Sequence, residues 1–342
     1  MKTLVTGASG LLGSNVVREL LSRGEAVRVL VREGSDLCTL QGLPVELFYG
    51  DVLDDPEKLV EACIGCDYVI HSAGKIAGHQ TKFSDFADIN ITGTQNIVHA
   101  AESAGIKRMV YVGSNCVFGG GSMENPGTEL SEFTGFRFNS GYIYSKYLAQ
   151  QWVLSEVQRT KFPIVVVNPN IMIGPYDKGP GSGEIVLRAI RGQVQLCPAA
   201  GKNFVDARDA ATATCNALTM GIPGECYLLA SENVTFADFF ERVNRIYGRK
   251  GMRIMVPGGV IRFAGLAGNV YQTLANHDVD LNLVNARQLA TESYFSAKKA
   301  VRVLGLPQRP IDDAIRAAIE WFVSNGYLQP QLVPEPAIPA VA

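Results

Sequence analysis

Lys2-Thr-Leu-Val-Thr-Gly-Ala-Ser-Gly-Leu-Leu-Gly13 is the stretch that decides the fold of this chain. It begins as a short apolar strand and continues into a turn that carries three glycines, Gly7, Gly10 and Gly13. Glycines at such a turn let the backbone bend tightly, approach a phosphate closely and pack a helix on a strand. The spacing is one residue longer than the usual G-x-G-x-x-G pattern of dinucleotide sites.

The residues that follow complete a strand–helix–strand unit. Apolar residues recur at helical spacing until Gly24, and a second apolar run at 26–31 predicts the next strand. The recurring residues are Val16, Val17, Leu20 and Leu21. Because the helix N-terminus would point its free N–H groups at a negative charge, we predict that a pyrophosphate binds at this turn.

The rest of the first half alternates strands with helices, which predicts an α/β fold with a Rossmann-type, doubly wound parallel sheet. Strands are expected at 45–49, 67–71, 108–113 and 163–168, and helices at 56–63, 84–104 and 141–159. Beyond Gly174 the residues at 175–183 are typical of a loop, and later helices are interspersed with few strands. The Pro-rich tail, 330–342, is predicted to be extended or disordered.

A candidate proton-transfer pair lies in the predicted helix 141–159. Tyr142 and Lys146 are four residues apart, so they share one helix face. An ammonium beside a phenol favours the phenolate, and we therefore expect the pKa of Tyr142 to fall from about 10 toward neutral. Ser114, at the end of the predicted strand 108–113, could hydrogen-bond a substrate carbonyl oxygen. Together these groups suit the interconversion of a carbonyl and an alcohol.

These motifs, taken together, resemble the extended short-chain dehydrogenases/reductases of the NAD-dependent epimerase/dehydratase superfamily. The resemblance covers about residues 1–327 and is strongest to the dihydroflavonol-reductase-like and hopanoid-associated sugar-epimerase-like branches. Further segments carry it, in the family's order: Gly50–Val52, His71–Gly74, Asn90–Thr94, Val167–Pro169 with Gly174-Pro175, and Phe204–Ala211.

The resemblance implies a domain division and roles for individual residues. It implies a dinucleotide-binding domain at 1–174, to which 200–220 return, and a smaller, mostly helical substrate-binding part at 175–199 and 221–329. The catalytic residues would be Ser114, Tyr142, Lys146 and Asn90. The cofactor-binding residues would be Gly7, Ser9, Gly10, Leu11, Leu12, Gly13, Arg32, Asp51, Val52, Ser72, Ala73, Gly74, Lys146 and Pro169.

The end of the second strand bears on the choice of cofactor. An NAD site places a carboxylate there for the ribose hydroxyls, but this chain has Val31 followed by Arg32. An arginine can pair with the 2′-phosphate of NADP through several donors, whereas a carboxylate would repel it. Glu33 comes one residue later, so NAD stays possible. We predict NADP.

Three reaction classes use this machinery, and the residues after Ser114 separate them. By the resemblance, sugar dehydratases need an acidic pair there, and Asn115 and Cys116 occupy those positions. Cys116 resembles a cysteine that some sugar epimerase/reductases use with a downstream histidine. None of the four histidines, His71, His79, His99 and His277, fits that histidine's position. Carbonyl reduction is therefore predicted first and nucleotide-sugar epimerisation second.

Basic and apolar residues give the remaining evidence about the substrate. The basic candidates for a diphosphate form no tight cluster in the sequence: Lys178, Arg188, Arg191 and Lys202. Aromatic and apolar residues are frequent instead, at Phe133, Phe136, Phe138, Met172, Ile173 and Tyr176. We therefore predict an apolar or aromatic ketone or aldehyde. The apolar segment 258–274 is too short and interrupted for a membrane span. It could line the pocket, touch a membrane surface or form a core helix.

Composition limits the other classes of function. A chain of 342 residues with 47% apolar content can bury a large core, and a net charge of −2 gives no general attraction to nucleic acid. Seven cysteines without a regular framework, and no basic-then-apolar leader at the N-terminus, predict a cytoplasmic protein. No metal site is expected, and Cys63 and Cys66 are interpreted as a chance pair. A non-catalytic NADP-sensing regulator is the third alternative, and the resemblance makes a homodimer through helices 84–104 and 141–159 plausible.

Overall fold

The computed structural model describes residues 1–76, 81–192, 194–275 and 281–329. The strands are β1 Lys2–Thr6, β2 Ala26–Val31, β3 Glu46–Tyr49, β4 Tyr68–His71, β5 Arg108–Val112, β6 Ile164–Pro169, β7 Ile171–Ile173, β8 Val194–Pro198, β9 Gly201–Asp206, β10 Cys226–Leu229, β11 Glu232–Thr235 and β12 Met252–Val256. The helices are α1 Leu11–Ser22, α2 Pro56–Cys63, α3 Ser84–Ala87, α4 Gly93–Ser103, α5 Gly141–Thr160, α6 Glu184–Arg191, α7 Ala207–Asn216, α8 Phe236–Tyr247, α9 Gly258–Ala275, α10 Leu283–Leu289, α11 Lys298–Leu304 and α12 Ile311–Ser324. The predicted Pro-rich tail lies outside the described residues.

A seven-stranded parallel sheet in the order β10-β6-β5-β4-β1-β2-β3 forms the centre of the described fold. The chain runs from β1 to β2 and β3 on one side and then returns to β4 on the other. This reversal leaves a crevice beyond the carboxyl ends of β1 and β4, where α/β proteins bind their ligands. The predicted Rossmann-type, doubly wound sheet is confirmed.

Apolar residues on both faces of the sheet explain why it is buried between helices. One core packs α1, α7 and α11 on the sheet, and Leu12, Val16, Val17 and Leu20 are the buried residues of α1 in it. The other core packs α2, α4 and α5 on the opposite face. Strand β6 is buried along its whole length because both of its faces are covered.

The smaller part is largely helical, as predicted, and also contains two short sheets that hydrophobic periodicity did not reveal. They have the orders β11-β9-β7 and β12-β8. Helices α6, α8 and α12 enclose a separate apolar core, in which the Phe204 and Phe239 rings stack with centroids 4.2 Å apart. Two strands cross the predicted division at residue 221, since β10 pairs with β6 in the large sheet and β11 pairs with β9. The division itself stays a prediction.

The helix predicted at 84–104 is continuous but changes its winding. A π-helical turn, Asp88–Thr92, joins α3 to α4. Turns of this kind often mark functional positions, and this one contains the buried Asn90.

The apolar segment 258–274 forms α9, and neither the pocket nor the core interpretation holds. Among its residues at 258–271, Ile261 and Gly265 are buried, most of the others are exposed, and none lines the large cleft described below. Within the described ranges, no helix is long and apolar enough to cross a membrane.

Candidate active site

The glycine turn forms a backbone cradle at the start of α1. Gly7 has φ +67°, and a Cβ there would lie 2.6 Å from the Ala73 nitrogen, so only glycine fits. A Cβ on Gly13 would lie 2.2 Å from the Gly7 carbonyl oxygen. Because Gly13 has no side chain, the helix can start directly against the turn. Gly10 precedes the first turn of α1, which has no side-chain cap and no acidic residue. Its free N–H groups suit an anion such as a pyrophosphate.

A cleft of about 1750 Å³ runs from this cradle along the carboxyl end of the sheet. All of the predicted cofactor-binding residues line it: Gly7, Ser9, Gly10, Leu11, Leu12, Gly13, Arg32, Asp51, Val52, Ser72, Ala73, Gly74, Lys146 and Pro169. Ser114 and Tyr142 line it as well, whereas the fourth predicted catalytic residue, Asn90, is buried behind it.

The end of β2 forms one end of the cleft. Arg32 is exposed, and its Nε lies 3.9 Å from an Asp51 carboxylate oxygen. A turn follows in which Gly34 has φ +72° and the Ser35 N–H donates to the Arg32 carbonyl at 3.1 Å. Ser35 also lines the cleft, but Glu33 does not. Sequence reasoning missed Ser35, although a small hydroxyl residue after Arg-Glu-Gly was a usable signal.

Ser114 and Tyr142 come together at the middle of the cleft from two different elements. Ser114 follows β5, and the side-chain amide of the buried Asn168 donates to its carbonyl at 3.0 Å. That amide also donates to the Gln150 side chain at 2.6 Å, so α5 and β6 both fix the serine. Tyr142 lies in the first turn of α5, where the Ser140 hydroxyl accepts a hydrogen bond from the Ile143 N–H. Gln150 was not predicted, and nothing in its spacing marks this role.

The pKa of Tyr142 does not follow the expectation from sequence. Burial raises the pKa of Tyr142, and the Cys116 thiol raises it further. A hydrogen bond with the Ser114 hydroxyl lowers it, but by less than burial raises it. The Lys146 ammonium is turned to the Val112 carbonyl, to which it donates at 3.1 Å. The prediction that Lys146 lowers the pKa of Tyr142 is therefore wrong for this structure, because desolvation of the phenol dominates. Burial also lowers the pKa of Lys146, to about 8.

Asn90 connects the cofactor end of the cleft with α5. Its side-chain oxygen accepts from the Lys75 N–H at 2.8 Å, and its amide donates to the Lys75 carbonyl at 3.1 Å and the Ser145 hydroxyl at 2.9 Å. A Cβ on Gly74 would lie 3.2 Å from Asn90 Oδ1 and 3.3 Å from Lys146 Nζ. These contacts place Asn90 as a positioning residue that holds the segment after β4 against the helix of Tyr142.

His71 lies beneath the site as a fully buried neutral ring. Its Nδ1 is 2.7 Å from the Thr6 hydroxyl, and its Nε2 is 3.1 Å from the Thr94 hydroxyl, which donates to the Asn90 carbonyl. Burial lowers the pKa of His71 to about 3, with the nearby Lys146 charge as the smaller cause. His71 therefore links β1, β4 and the π-helical turn without carrying a charge.

The substrate end of the cleft is largely apolar, but its walls differ from the predicted ones. Phe138 and Met172 line it, together with Phe118, Ile185, Phe236, Phe240 and Leu289. Phe133 and Phe136 do not: Phe133 stacks on Tyr147 of α5 with centroids 4.0 Å apart, and Phe136 contacts Tyr144. The loop aromatics thus pack on the outer side of the helix that carries Tyr142.

Two cations meet at this apolar end. Lys202 Nζ donates to the Gln288 and Thr291 carbonyls, each at 2.9 Å, and burial lowers its pKa to about 8. The charge of Arg137, which also lines the cleft, lowers that pKa further. Lys178 and Arg188 line the cleft too, and Arg191 does not. Three of the four basic residues considered from sequence therefore line the same cleft.

The loop after β7 closes the cleft on its outer side. Asn15 of α1 donates to the Pro175 carbonyl at 3.1 Å, and the Arg18 guanidinium lies 3.5 Å from the centre of the Tyr176 ring. Lys178 Nζ lies 3.7 Å from an Asp36 carboxylate oxygen, so the loop also reaches the turn after β2.

The cysteines show no arrangement for catalysis. Burial raises the pKa of Cys116 to about 11, and that of Cys63 to about 12, so both thiols are protonated at neutral pH. Within the described part of the chain, no group of three or more His, Cys, Asp or Glu side chains could hold a metal ion.

Comparisons with known proteins show what the whole chain is similar to. The model of the NAD dependent epimerase/dehydratase family matches residues 3–230. A protein of Synechocystis named for dihydroflavonol 4-reductase is 33% identical over 333 residues, covering 96% of each chain. A 2-alkyl-3-oxoalkanoate reductase of Stenotrophomonas maltophilia is 29% identical over 333 residues, covering 92% of this chain and 98% of its own. The crystal structure of a nucleoside-diphosphate-sugar epimerase from Pseudomonas aeruginosa matches with a TM-score of 0.77 and 25% identity, covering 96% of this chain and 99% of its own.

Proposed function

The chain belongs to the NAD-dependent epimerase/dehydratase family as an NAD(P)-dependent enzyme of the extended short-chain dehydrogenase/reductase type, and we propose that it reduces an apolar ketone or aldehyde to an alcohol with NADPH. The observation that carries this proposal is the meeting of Ser114 and Tyr142 beside Lys146 in a cleft whose far walls are apolar. The reductase names of two full-length relatives support it.

The residues present fit a nicotinamide dinucleotide. Gly7, Gly10 and Gly13 leave room for a pyrophosphate where any Cβ on Gly7 or Gly13 would collide with backbone, and the uncapped start of α1 offers N–H donors. When bound, the reduced nicotinamide would supply the hydride. The protein's task is to hold the carbonyl and to supply the proton.

Proton transfer is assigned to Tyr142. The Ser114 hydroxyl would donate a hydrogen bond to the substrate carbonyl oxygen, and Tyr142 Oη would give its proton to that oxygen as negative charge develops. Because burial raises the pKa of Tyr142, the phenol stays protonated at neutral pH, as reduction requires. Lys146 lies one helical turn away and also lines the cleft, where its ammonium could bind the ribose of the dinucleotide, as the resemblance implies.

Replacement of Tyr142 tests this assignment. Tyr142→Phe should lower the turnover of NADPH with a reactive ketone by about 10²–10⁴, the usual loss of a general acid, and leave NADPH binding intact. Tyr144→Phe is the matched control, since Tyr144 lies on the same helix but contacts Phe83 and Phe136 instead of the cleft. An unchanged rate in Tyr142→Phe would reject the mechanism.

NADP rather than NAD is proposed from the end of β2. Arg32 and Ser35 line the cleft beside the turn at Gly34, where they could pair with a 2′-phosphate. Arg32→Ala should weaken NADPH binding about tenfold or more and leave NADH binding nearly unchanged. Lys58→Ala is the control, because Lys58 is a nearby exposed cation paired with Asp54. Equal affinity of the wild-type chain for NADH and NADPH would contradict the proposal.

Nucleotide-sugar epimerisation is the second candidate, and one observation favours it. Lys202 and Arg137 place two cations at the substrate end, which suits a ligand with phosphate or carboxylate groups. A panel of apolar ketones, aldehydes and UDP- and GDP-sugars separates the candidates. The reductase would consume NADPH, whereas the epimerase would convert a sugar without net consumption of cofactor.

A cytoplasmic location, supported by seven cysteines without a regular framework, and a homodimer through helices 84–104 and 141–159, supported by the resemblance, complete the proposal. Light scattering during gel filtration of the full chain tests the dimer, which should elute at twice the monomer mass. Elution of a single monomeric species at micromolar concentration would contradict it.

A further inference from the structure

Helix α9 carries its apolar face outward. Val260, Phe263, Leu266 and Val270 recur at helical spacing, and Phe263 is 74% exposed. The opposite side of the helix packs on α10, where a Cβ on Gly265 would lie 2.4 Å from the Ala286 side chain. A core helix has the reverse arrangement, so this face lacks a cover within the described part of the chain.

The strand that leads into α9 carries a second exposed apolar face. In the parallel pair β8–β12, Val194 is opposite Met252 and Leu196 is opposite Ile254, so the four side chains share one face. All four are exposed, and Leu196 is 65% exposed. Val194 and Leu196 also line the cleft. This second face therefore reaches the substrate end of the site.

The segment that contains β12 and α9 is basic. Between residues 242 and 275 the sequence has six basic residues and no acidic residue. Arg242, Arg245 and Arg253 form ion pairs with carboxylates of neighbouring helices. The other three, Arg249, Lys250 and Arg262, have no ion-pair partner among the described residues. Arg262 lies on α9 itself, at the flank of the apolar face, where a long side chain can reach past the apolar layer.

We propose that the outward face of α9, together with the β8–β12 face, docks on the surface of an anionic lipid bilayer. An apolar face flanked by cations is the pattern of helices that lie in the membrane interface, and α9 is too short and interrupted to span it. A second copy of the chain is a poorer occupant. A two-fold contact through this face would bring two sets of these three cations into one interface, where they repel each other.

Docking in this way would bring the mouth of the cleft to the lipid surface. An apolar carbonyl compound dissolved in the bilayer could then enter past Val194 and Leu196 without crossing water. This step rests on the proposed function, whereas the docking itself does not, because vesicle binding needs neither substrate nor turnover.

Co-sedimentation of the full chain with vesicles tests the docking. Vesicles of phosphatidylcholine with about 30% phosphatidylglycerol should bind the protein, and pure phosphatidylcholine vesicles should bind it weakly. Phe263→Ser with Val270→Ser should lower the partition coefficient at least about tenfold. The triple change Arg249→Ser, Lys250→Ser and Arg262→Ser should lower it about a hundredfold, at about fivefold per cation.

Exposed apolar residues elsewhere provide the matched control. Leu130 and Ile64, 93% and 58% exposed, should be replaceable by serine without loss of vesicle binding. NADPH binding and the melting temperature of each variant show that it is folded. Failure of the wild-type chain to bind anionic vesicles would overturn the proposal. The proposal would also be overturned if the wild-type chain were a dimer that dissociates in Phe263→Ser and vesicles bound neither the dimer nor the monomer. A second copy of the chain would then cover the face.

Discussion

The protonation of Lys146 should change when the dinucleotide binds. Lys146 is 7% exposed, and burial lowers its pKa from an ordinary 10.5 to about 8. Because the folded pKa lies below the unfolded one, the charged form costs about 3 kcal/mol of folding free energy at neutral pH. That cost disappears as the pH rises from about 8 toward 10.5, where the folded lysine is neutral.

A bound dinucleotide brings negative charge to the cleft that Lys146 lines and should raise its pKa again. At about pH 8.5, roughly three quarters of the lysine is neutral before binding, so binding should take up about 0.7 proton per cofactor. At about pH 7 nearly all of it is already charged, and the uptake should be about 0.1 proton. The difference between the two pH values is the measurable quantity.

Titration calorimetry with NADPH in two buffers of different ionisation enthalpy measures this uptake directly. Lys146→Met should abolish the rise in uptake at the higher pH. Lys202→Met is the matched control, because burial lowers the pKa of Lys202 to about 8 as well, but Lys202 lies at the substrate end. Equal uptake at both pH values in the wild-type chain, or a rise that persists in Lys146→Met, would refute the reasoning.

Three further replacements test the cradle and its supports. Gly7→Ala should abolish dinucleotide binding, measured by fluorescence titration, because the added Cβ would collide with backbone. It should also lower the free energy of unfolding in urea by more than the ~1–2 kcal/mol that a positive φ costs a residue with a side chain. Gly24→Ala is the control, since a Cβ there meets open space and only the cost of the positive φ should appear. Because the pKa of His71 is about 3 in the folded chain and 6.5 in the unfolded chain, His71 should lower the free energy of unfolding by up to about 1.4 kcal/mol per pH unit as the pH drops from 6.5 toward 3. His71→Gln should remove this contribution to the pH dependence. Parallel pH profiles of the two proteins would contradict a buried neutral ring. Asn90→Ala should destabilise the chain by about 2–4 kcal/mol in urea unfolding, since three hydrogen bonds are lost, and an unchanged midpoint would show that they contribute nothing.

The elements predicted from the sequence were those in which one physical constraint dominates. The glycine turn could be recognised because tight backbone packing tolerates no other residue at Gly7 and Gly13. The parallel strands could be recognised because a strand that is covered on both faces, such as β6, carries a continuous apolar run, here residues 164–167. Short strands such as β8 and β12 were not predicted, since one face of each is exposed and still apolar.

Features that depend on several distant segments were missed or mistaken. The direction of the Tyr142 pKa depends on how deeply the phenol is buried, which spacing from Lys146 does not reveal. Lys202 and Arg137 are far apart in sequence and meet only because β9 and the loop before α5 border the same cleft. The π-helical turn at Asn90 was likewise not predicted, because a single turn is too short to change the spacing of apolar residues in the sequence.

The salt bridge between Lys178 and Asp36 has a consequence for the rate at which the cofactor exchanges. A dinucleotide that enters or leaves the cleft past the turn after β2 would have to separate these two side chains. Asp36 is 65% exposed, so the bridge contributes only about 0.2–1 kcal/mol and opens readily. Cofactor exchange would then be quick and would accelerate further at high salt, which suits an oxidoreductase that renews its cofactor in every cycle.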